Sequence, residues 1–130
     1  MRSPKKQGSA YEAQFIADAL GHGLDVIAPF GDYLPYDLLT TCDGKKFLRV
    51  QIKGTTYLQP KKMPVYKVCA GTGQSKKTKL TDQKVDIVAC WVAPAATWYH
   101  VPVEHISGVS LYLAPTRKSK GKYEVWKEAW

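Results

Sequence analysis

Long apolar runs are missing from this 130-residue chain, and so is any C-x-x-C pair. No segment is therefore a candidate to span a bilayer. The basic start, Met1-Arg2-Ser3-Pro4-Lys5-Lys6, has no apolar run behind it that would make a secretory signal. Cysteine is scarce: Cys42, Cys69 and Cys90 are an odd number at wide spacing. That argues against a disulfide framework and for reduced thiols in a cytoplasmic setting. The histidines His22, His100 and His105 stand at no ligand spacing from the cysteines, which argues against a zinc site. Arginine is limited to Arg2, Arg49 and Arg117, few for bidentate reading of base edges. Negative charge is also in deficit, with 11 Asp and Glu against 19 Lys and Arg.

What the chain has instead is lysine. The formal net charge is +8, and lysines cluster at Lys5-Lys6, Lys61-Lys62, Lys76-Lys77-x-Lys79 and Lys118-x-Lys120-x-Lys122. Such a balance favours a polyanionic partner, because each neutralised phosphate releases counterions. The length suits one domain over residues 1–130 with a real core, preceded by a basic arm over residues 1–7.

Ser9, with Glu12 three residues on, has capping-box spacing and predicts a helix to about Leu20, ended by Gly21 and Gly23. Strands are expected at 24–29, 36–41, 46–54, 65–70, 85–92, 97–101 and 109–113, the last as an edge. The continuous apolar run 85–92 reads as a central buried strand. Residues 71–82, rich in Gly, Lys and Thr, read as a loop. Tyr123, Trp126 and Trp130 have helical spacing and predict a short closing helix. This order of elements predicts an α/β or α+β fold with one mixed sheet.

The chemistry concentrates in two neighbouring segments. Tyr36-Asp37-Leu38-Leu39 opens one strand, and Arg49-Val50-Gln51-Ile52-Lys53 closes the next. Between them Cys42-Asp43-Gly44-Lys45 is a hairpin turn signal. Side chains alternate along a strand, so Gln51 and Lys53 share one face while Val50 and Ile52 take the other. Phosphodiester hydrolysis needs a nucleophilic water and compensation for charge on the phosphoryl oxygens, and a hard divalent cation supplies both. Mg²⁺ takes oxygen ligands and keeps several waters, so one or two carboxylates suffice. Asp37 is the candidate main ligand, with the Gln51 amide oxygen and the Ile52 carbonyl completing the protein share. Lys53 is placed to orient the water and stabilise the transition state. Glu12 would hold a second metal or metal-bound waters.

Gly8-Ser9, Glu12, Asp37 and Gln51-x-Lys53-Gly54-Thr55 together resemble the PD-(D/E)XK nucleases, in the pattern of Holliday-junction resolvases and of some intron homing endonucleases. The resemblance covers roughly the first half of the chain. It implies a restriction-endonuclease-like mixed central β-sheet flanked by helices. It also implies Mg²⁺-dependent DNA cleavage (Mn²⁺ substituting) that leaves a 5′ phosphate, and a homo-oligomer with two active sites. On this chain Asp37 takes the metal-binding position, Gln51 the second acidic position, Lys53 that of the catalytic lysine and Glu12 that of the helix glutamate. Two residues depart from the pattern. Tyr36 precedes Asp37 where a proline is usual, and Gln51 is a neutral amide, a weaker ligand that cannot act as a base.

Candidate DNA contacts are Lys5, Lys6, Ser9, Thr55, Thr56, Lys61, Lys62, Lys76, Lys77 and Lys79, residue types that suit phosphates. Few arginines and the Gly8-Ser9-x-x-Glu12 start favour a structure-selective junction resolvase. Gln51 and the strand-rich second half favour a site-specific homing or restriction-like endonuclease instead. An inert DNA-binding module on the same fold is the third reading. A phage or mobile element is an expected source.

Overall fold

The computed structural model describes residues 3–56, 58–59, 65–71, 78–115 and 121–130, with backbone alone at 58–59. It begins with α1 (Pro4–Gly21). Ser3, not Ser9, caps it: the Ser3 hydroxyl accepts the Lys6 N–H at 3.2 Å, and Pro4 takes the first helical position. Proline suits that place, where its missing N–H would have no partner and its fixed φ is already helical. The described part of the expected basic arm is therefore the first turn of the helix. At the other end Gly23 adopts φ +84°, and the Leu24 N–H returns to the Ala19 carbonyl at 3.0 Å. Glycine takes that left-handed conformation without a Cβ clash.

Five strands form the main sheet, in the order β1 (Asp25–Ile27), β2 (Leu38–Thr41), β3 (Leu48–Thr55), β6 (Ile87–Val92), β7 (Thr97–Pro102). Only the β3–β6 pair is parallel, so the sheet is mixed. The expectation of one sheet is corrected by a second of three strands, β4 (Leu58–Gln59), β5 (Val65–Cys69) and β8 (Ser110–Leu113), all antiparallel. β8 lies at its edge.

The main sheet is a middle layer. Val50, Ile52, Ala89 and Trp98 pack with Phe15 and Ala19 of α1. Val88, Cys90, Val92, Tyr99 and Val101 pack on the other side with Val68, Leu111 and Leu113 of the small sheet. Burial on both faces explains why β6 reads as an unbroken apolar run. Phe15 is 2 % exposed and meets Trp98 edge-on at 5.3 Å. Truncating such a ring typically costs about 3–5 kcal/mol.

The closing helix is also corrected. Only Glu124–Trp126 is helical, as one 3₁₀ turn. Lys127 then bridges to Tyr99, and the Glu128 N–H donates to the Trp98 carbonyl at 2.7 Å. Trp126 packs on the small-sheet core and Trp130 on the α1 core. Their spacing of four imitates a helix face, but the segment runs along β7 and sends its two tryptophans to opposite sides of the sheet.

Candidate active site

The site forms at the open mouth of the β2–β3 hairpin. At its closed end the Thr41 hydroxyl accepts the Gly44 N–H at 2.9 Å. Asp43 Oδ1 accepts the N–H groups of Lys45 and Lys46 at 2.8 and 2.9 Å. This turn fixes the register Leu38↔Val50. One residue beyond that pair, the Asp37 N–H donates to the Val50 carbonyl at 2.8 Å. Asp37 Oδ2 then accepts the Ile52 N–H at 2.7 Å, so the carboxylate continues the ladder where β2 stops.

In a strand the N–H and C=O of one residue point to the same edge. The Ile52 carbonyl therefore projects to the edge on which Asp37 lies. Gln51 and Lys53 alternate with Val50 and Ile52 and stand on the sheet face opposite α1, at the level of Val88 and Cys90 on β6.

The electrostatics tie three charged groups together. Burial pushes the Asp37 carboxyl above its ordinary range, against the lowering effects of the Ile52 N–H and the Lys53 ammonium. Glu12, half-buried on α1, is also raised, first by burial and then by the negative charge of Asp37. Tyr11, its neighbour, lies flat over Gly54. A Cβ at Gly54 would overlap the Tyr11 ring carbons, so only glycine lets α1 come this close to β3.

The structure thus gathers Glu12, Ile52 and Lys53 around Asp37, with Gln51 on the same sheet face as Lys53. Lys5, Lys6 and Ser9 are exposed on the first turns of α1, and Thr56 and Lys79 are exposed as well. Thr55 is 7 % exposed at the end of β3, so this candidate is withdrawn from the phosphate-facing surface. Lys61, Lys62, Lys76 and Lys77 lie outside the described residues.

One residue pair was not anticipated. Arg49 donates to both Asp86 oxygens and to the carbonyls of Asp82 and Gln83 at 2.6–3.0 Å, and its own N–H meets Asp86 Oδ2. The Asp86 N–H answers to the Arg49 carbonyl at 2.9 Å. This bolt sets the parallel register that carries Gln51 and Lys53. An aspartate at the head of an apolar run was its only trace in the sequence.

The donor chemistry fits a divalent cation. Two carboxylates raised by burial, Glu12 also by the charge of Asp37, with an amide oxygen and a backbone carbonyl make an all-oxygen set suited to a hard ion. Among the described residues no three of His, Cys, Asp or Glu gather as a metal cluster, so the amide and carbonyl are needed to complete it.

This fold and this corner place the molecule among nucleases. It superposes on the bacterial homing endonuclease I-Ssp6803I with a TM-score of 0.78 and 28% identity, over 100% of this chain and 90% of that one. It also matches the fold of Archaeoglobus fulgidus Hjc, a Holliday junction resolvase from an archaeal hyperthermophile. There the TM-score is 0.53 and the identity 13%, over 92% of this chain and 88% of the other. The chain belongs to the PD-(D/E)XK endonuclease family, whose family model matches residues 2–130. No curated protein matches it. The expected α/β fold with a mixed central sheet is thus the observed one, with a single α-helix among the described residues.

Proposed function

We propose that the protein is a divalent-cation-dependent DNA endonuclease of one domain, with Mg²⁺ as the working ion. The observation that carries this reading is the Asp37 carboxylate, fastened to the Ile52 N–H at 2.7 Å and raised by burial. It is a partly buried negative charge that the described residues only partly offset. Asp37, the Gln51 amide and the Ile52 carbonyl would hold the ion, with Glu12 facing it from α1. When bound, the ion supplies an activated water and offsets phosphoryl charge. Lys53 orients that water and hydrogen-bonds a phosphoryl oxygen as negative charge develops. Hydrolysis breaks the bond from phosphorus to the 3′ oxygen, leaving a 5′ phosphate and a 3′ hydroxyl. The exposed lysines Lys5, Lys6 and Lys79, with Ser9 and Thr56, position the backbone of the DNA.

The residues alone favoured a junction resolvase. The greater likeness to the homing endonuclease, in both TM-score and identity, moves the balance to a site-specific cut in duplex DNA. A homo-oligomer would present two sites, one for each strand.

Long duplex, plasmid and a four-way junction incubated with Mg²⁺ separate the two readings. A few discrete cuts in duplex support the homing type, and cleavage of the junction alone restores the resolvase. Loss of cutting in Lys53→Ala with DNA binding retained supports the site. DNA binding without cleavage in both Mg²⁺ and Mn²⁺ would leave only an inert module.

A further inference from the structure

Residues 28–36 join β1 to β2 at the mouth of the hairpin and deliver the chain to Asp37. Ile27 pairs with Leu39, so this loop leaves and returns on adjoining strands, at the end of the sheet that holds the proposed metal corner. Tyr11 lies over Gly54 near the end of β3, so the first turns of α1, with exposed Lys5 and Lys6, reach that end too.

Here the loop sets two aromatic side chains in water. Phe30 is 93 % exposed, the highest value for a large hydrophobic residue among the described residues, and Tyr33 is 77 % exposed. Burying a phenylalanine ring is one of the larger single gains open to a fold, and this one is forgone. The loop is braced all the same. Gly31 takes φ +83°, and the Tyr33 ring lies over it, so near that a Cβ at Gly31 would come within 2.8 Å. Pro29 and Pro35 fix two more φ angles on either side of the aromatic pair. A braced loop loses less freedom when its ring is covered.

Three observations select what covers it. The loop has no Lys or Arg, and its one charge is the exposed Asp32, so it does not suit phosphates. Lys5 and Lys6 at the same end do, which leaves the apolar faces of the bases to the aromatic pair. Two side chains also offer far less than the roughly 800 Å² per partner of a stable protein interface, and a second copy seated here would crowd the corner that DNA must enter. Finally, Phe30 is seven residues from Asp37, at most about 25 Å of extended chain. That is about seven nucleotides at about 3.4 Å each, so one DNA segment can lie against both.

We propose that Phe30 is an apolar wedge that enters between neighbouring bases of the DNA held at the Asp37 corner. The wedge rests on the DNA-cleaving function proposed above and adds to it a distortion of the substrate, one base step unstacked beside the cut.

Two duplexes of one sequence test it, each carrying a single 2-aminopurine, opposite thymine in one and opposite cytosine in the other. A mismatched base costs less to unstack, so a wedge prefers the second duplex and a protein without one does not. Binding is measured on the full chain with Ca²⁺ in place of Mg²⁺, so that it is read apart from cleavage. The unaltered protein should bind the mismatched duplex about tenfold more tightly, about 1.4 kcal/mol, and raise its 2-aminopurine fluorescence. In Phe30→Ala the preference should fall to about one and the fluorescence rise should vanish while both duplexes still bind. Phe30→Trp should keep both effects. Thermal melting and sedimentation of Phe30→Ala should match the unaltered protein. Equal binding of the two duplexes by the unaltered protein, or a preference kept in Phe30→Ala, overturns the wedge and leaves the DNA-cleaving reading standing. A lower melting temperature or a smaller assembly in Phe30→Ala overturns it too, and assigns the ring to the fold or to a contact between copies. Binding of neither duplex removes the DNA reading itself, and the wedge with it.

Discussion

Two aspartates stand at opposite ends of one hairpin, and they behave in opposite ways. Asp43, in the turn, accepts two backbone N–H groups, and these hold its carboxyl below the usual range, Lys46 first and Lys45 next. Asp37, at the mouth, accepts the Ile52 N–H and feels Lys53, yet its carboxyl is raised because burial outweighs both. The residue type and the kind of partner are the same, and what differs is access to water. A solvated aspartate that bonds backbone is stabilised by the turn it closes. The partly buried one burdens the fold at neutral pH, and the proposed cation would relieve that burden.

The largest effect expected from this contrast is on cleavage. Asp37→Asn keeps an oxygen for the Ile52 N–H but removes the charge, and should lower the cleavage rate on the order of 10³-fold, about 4 kcal/mol. Asp43→Asn should cut at the rate of the unaltered protein. Equal loss in both variants, measured on one DNA substrate, would erase the distinction.

Next comes the response to the ion. Asp37 and Glu12 are both raised in the folded protein. In the metal-free state their contribution is therefore favourable below the ordinary carboxylate range and is lost as pH rises through their raised values. Mg²⁺ should offset that loss at neutral pH, by about 2.7 kcal/mol at a hundredfold excess over its dissociation constant. The gain should fade as pH drops through the raised values, and should be absent in Asp37→Asn. Thermal melts with and without Mg²⁺ across a pH series read it directly, and an undiminished gain in Asp37→Asn would place the ion elsewhere.

A smaller change tests the helix. Gly54→Ala drives a methyl into the Tyr11 ring and should cost about 2 kcal/mol in denaturant unfolding. Cleavage should fall as well, since Glu12 moves off with α1, and Tyr11→Ala in the same chain should recover part of the stability. An unchanged midpoint in Gly54→Ala would show that the helix is not held by this contact. Smallest of all, Asp43→Asn should lower the melting temperature slightly, with the decrease disappearing in acid once Asp43 itself is protonated.

The hairpin was legible because its pattern is local. Two-residue alternation and a Cys42-Asp43-Gly44-Lys45 turn are written in adjacent positions, and β2 and β3 lie within two residues of the expected bounds. The helix start was misplaced because Ser9 and Glu12 imitate a capping box, while Ser3-Pro4 carries the actual cap. The tail was misread because Trp126 and Trp130 obey a helical spacing but serve two different cores. The small sheet and the Arg49–Asp86 bolt depend on residues far apart in sequence, which no local period records. Asp37, Gln51 and Lys53 could be proposed from order and spacing. The raised carboxyls and the Gly54–Tyr11 contact arise only from packing.

The parallel pairing of β3 with β6 spans 37 residues between Arg49 and Asp86. Glu12 and Asp37 precede that span, and Gln51 and Lys53 lie at its start. At a synthesis rate of about 5–20 residues per second, the ribosome needs on the order of seconds to deliver β6 after β3 has emerged. The hairpin itself closes in about 1–10 μs. Each nascent chain thus passes through an interval in which its chemically equipped strand has one neighbour and one bare edge, open to chaperones or to a strand from another nascent copy.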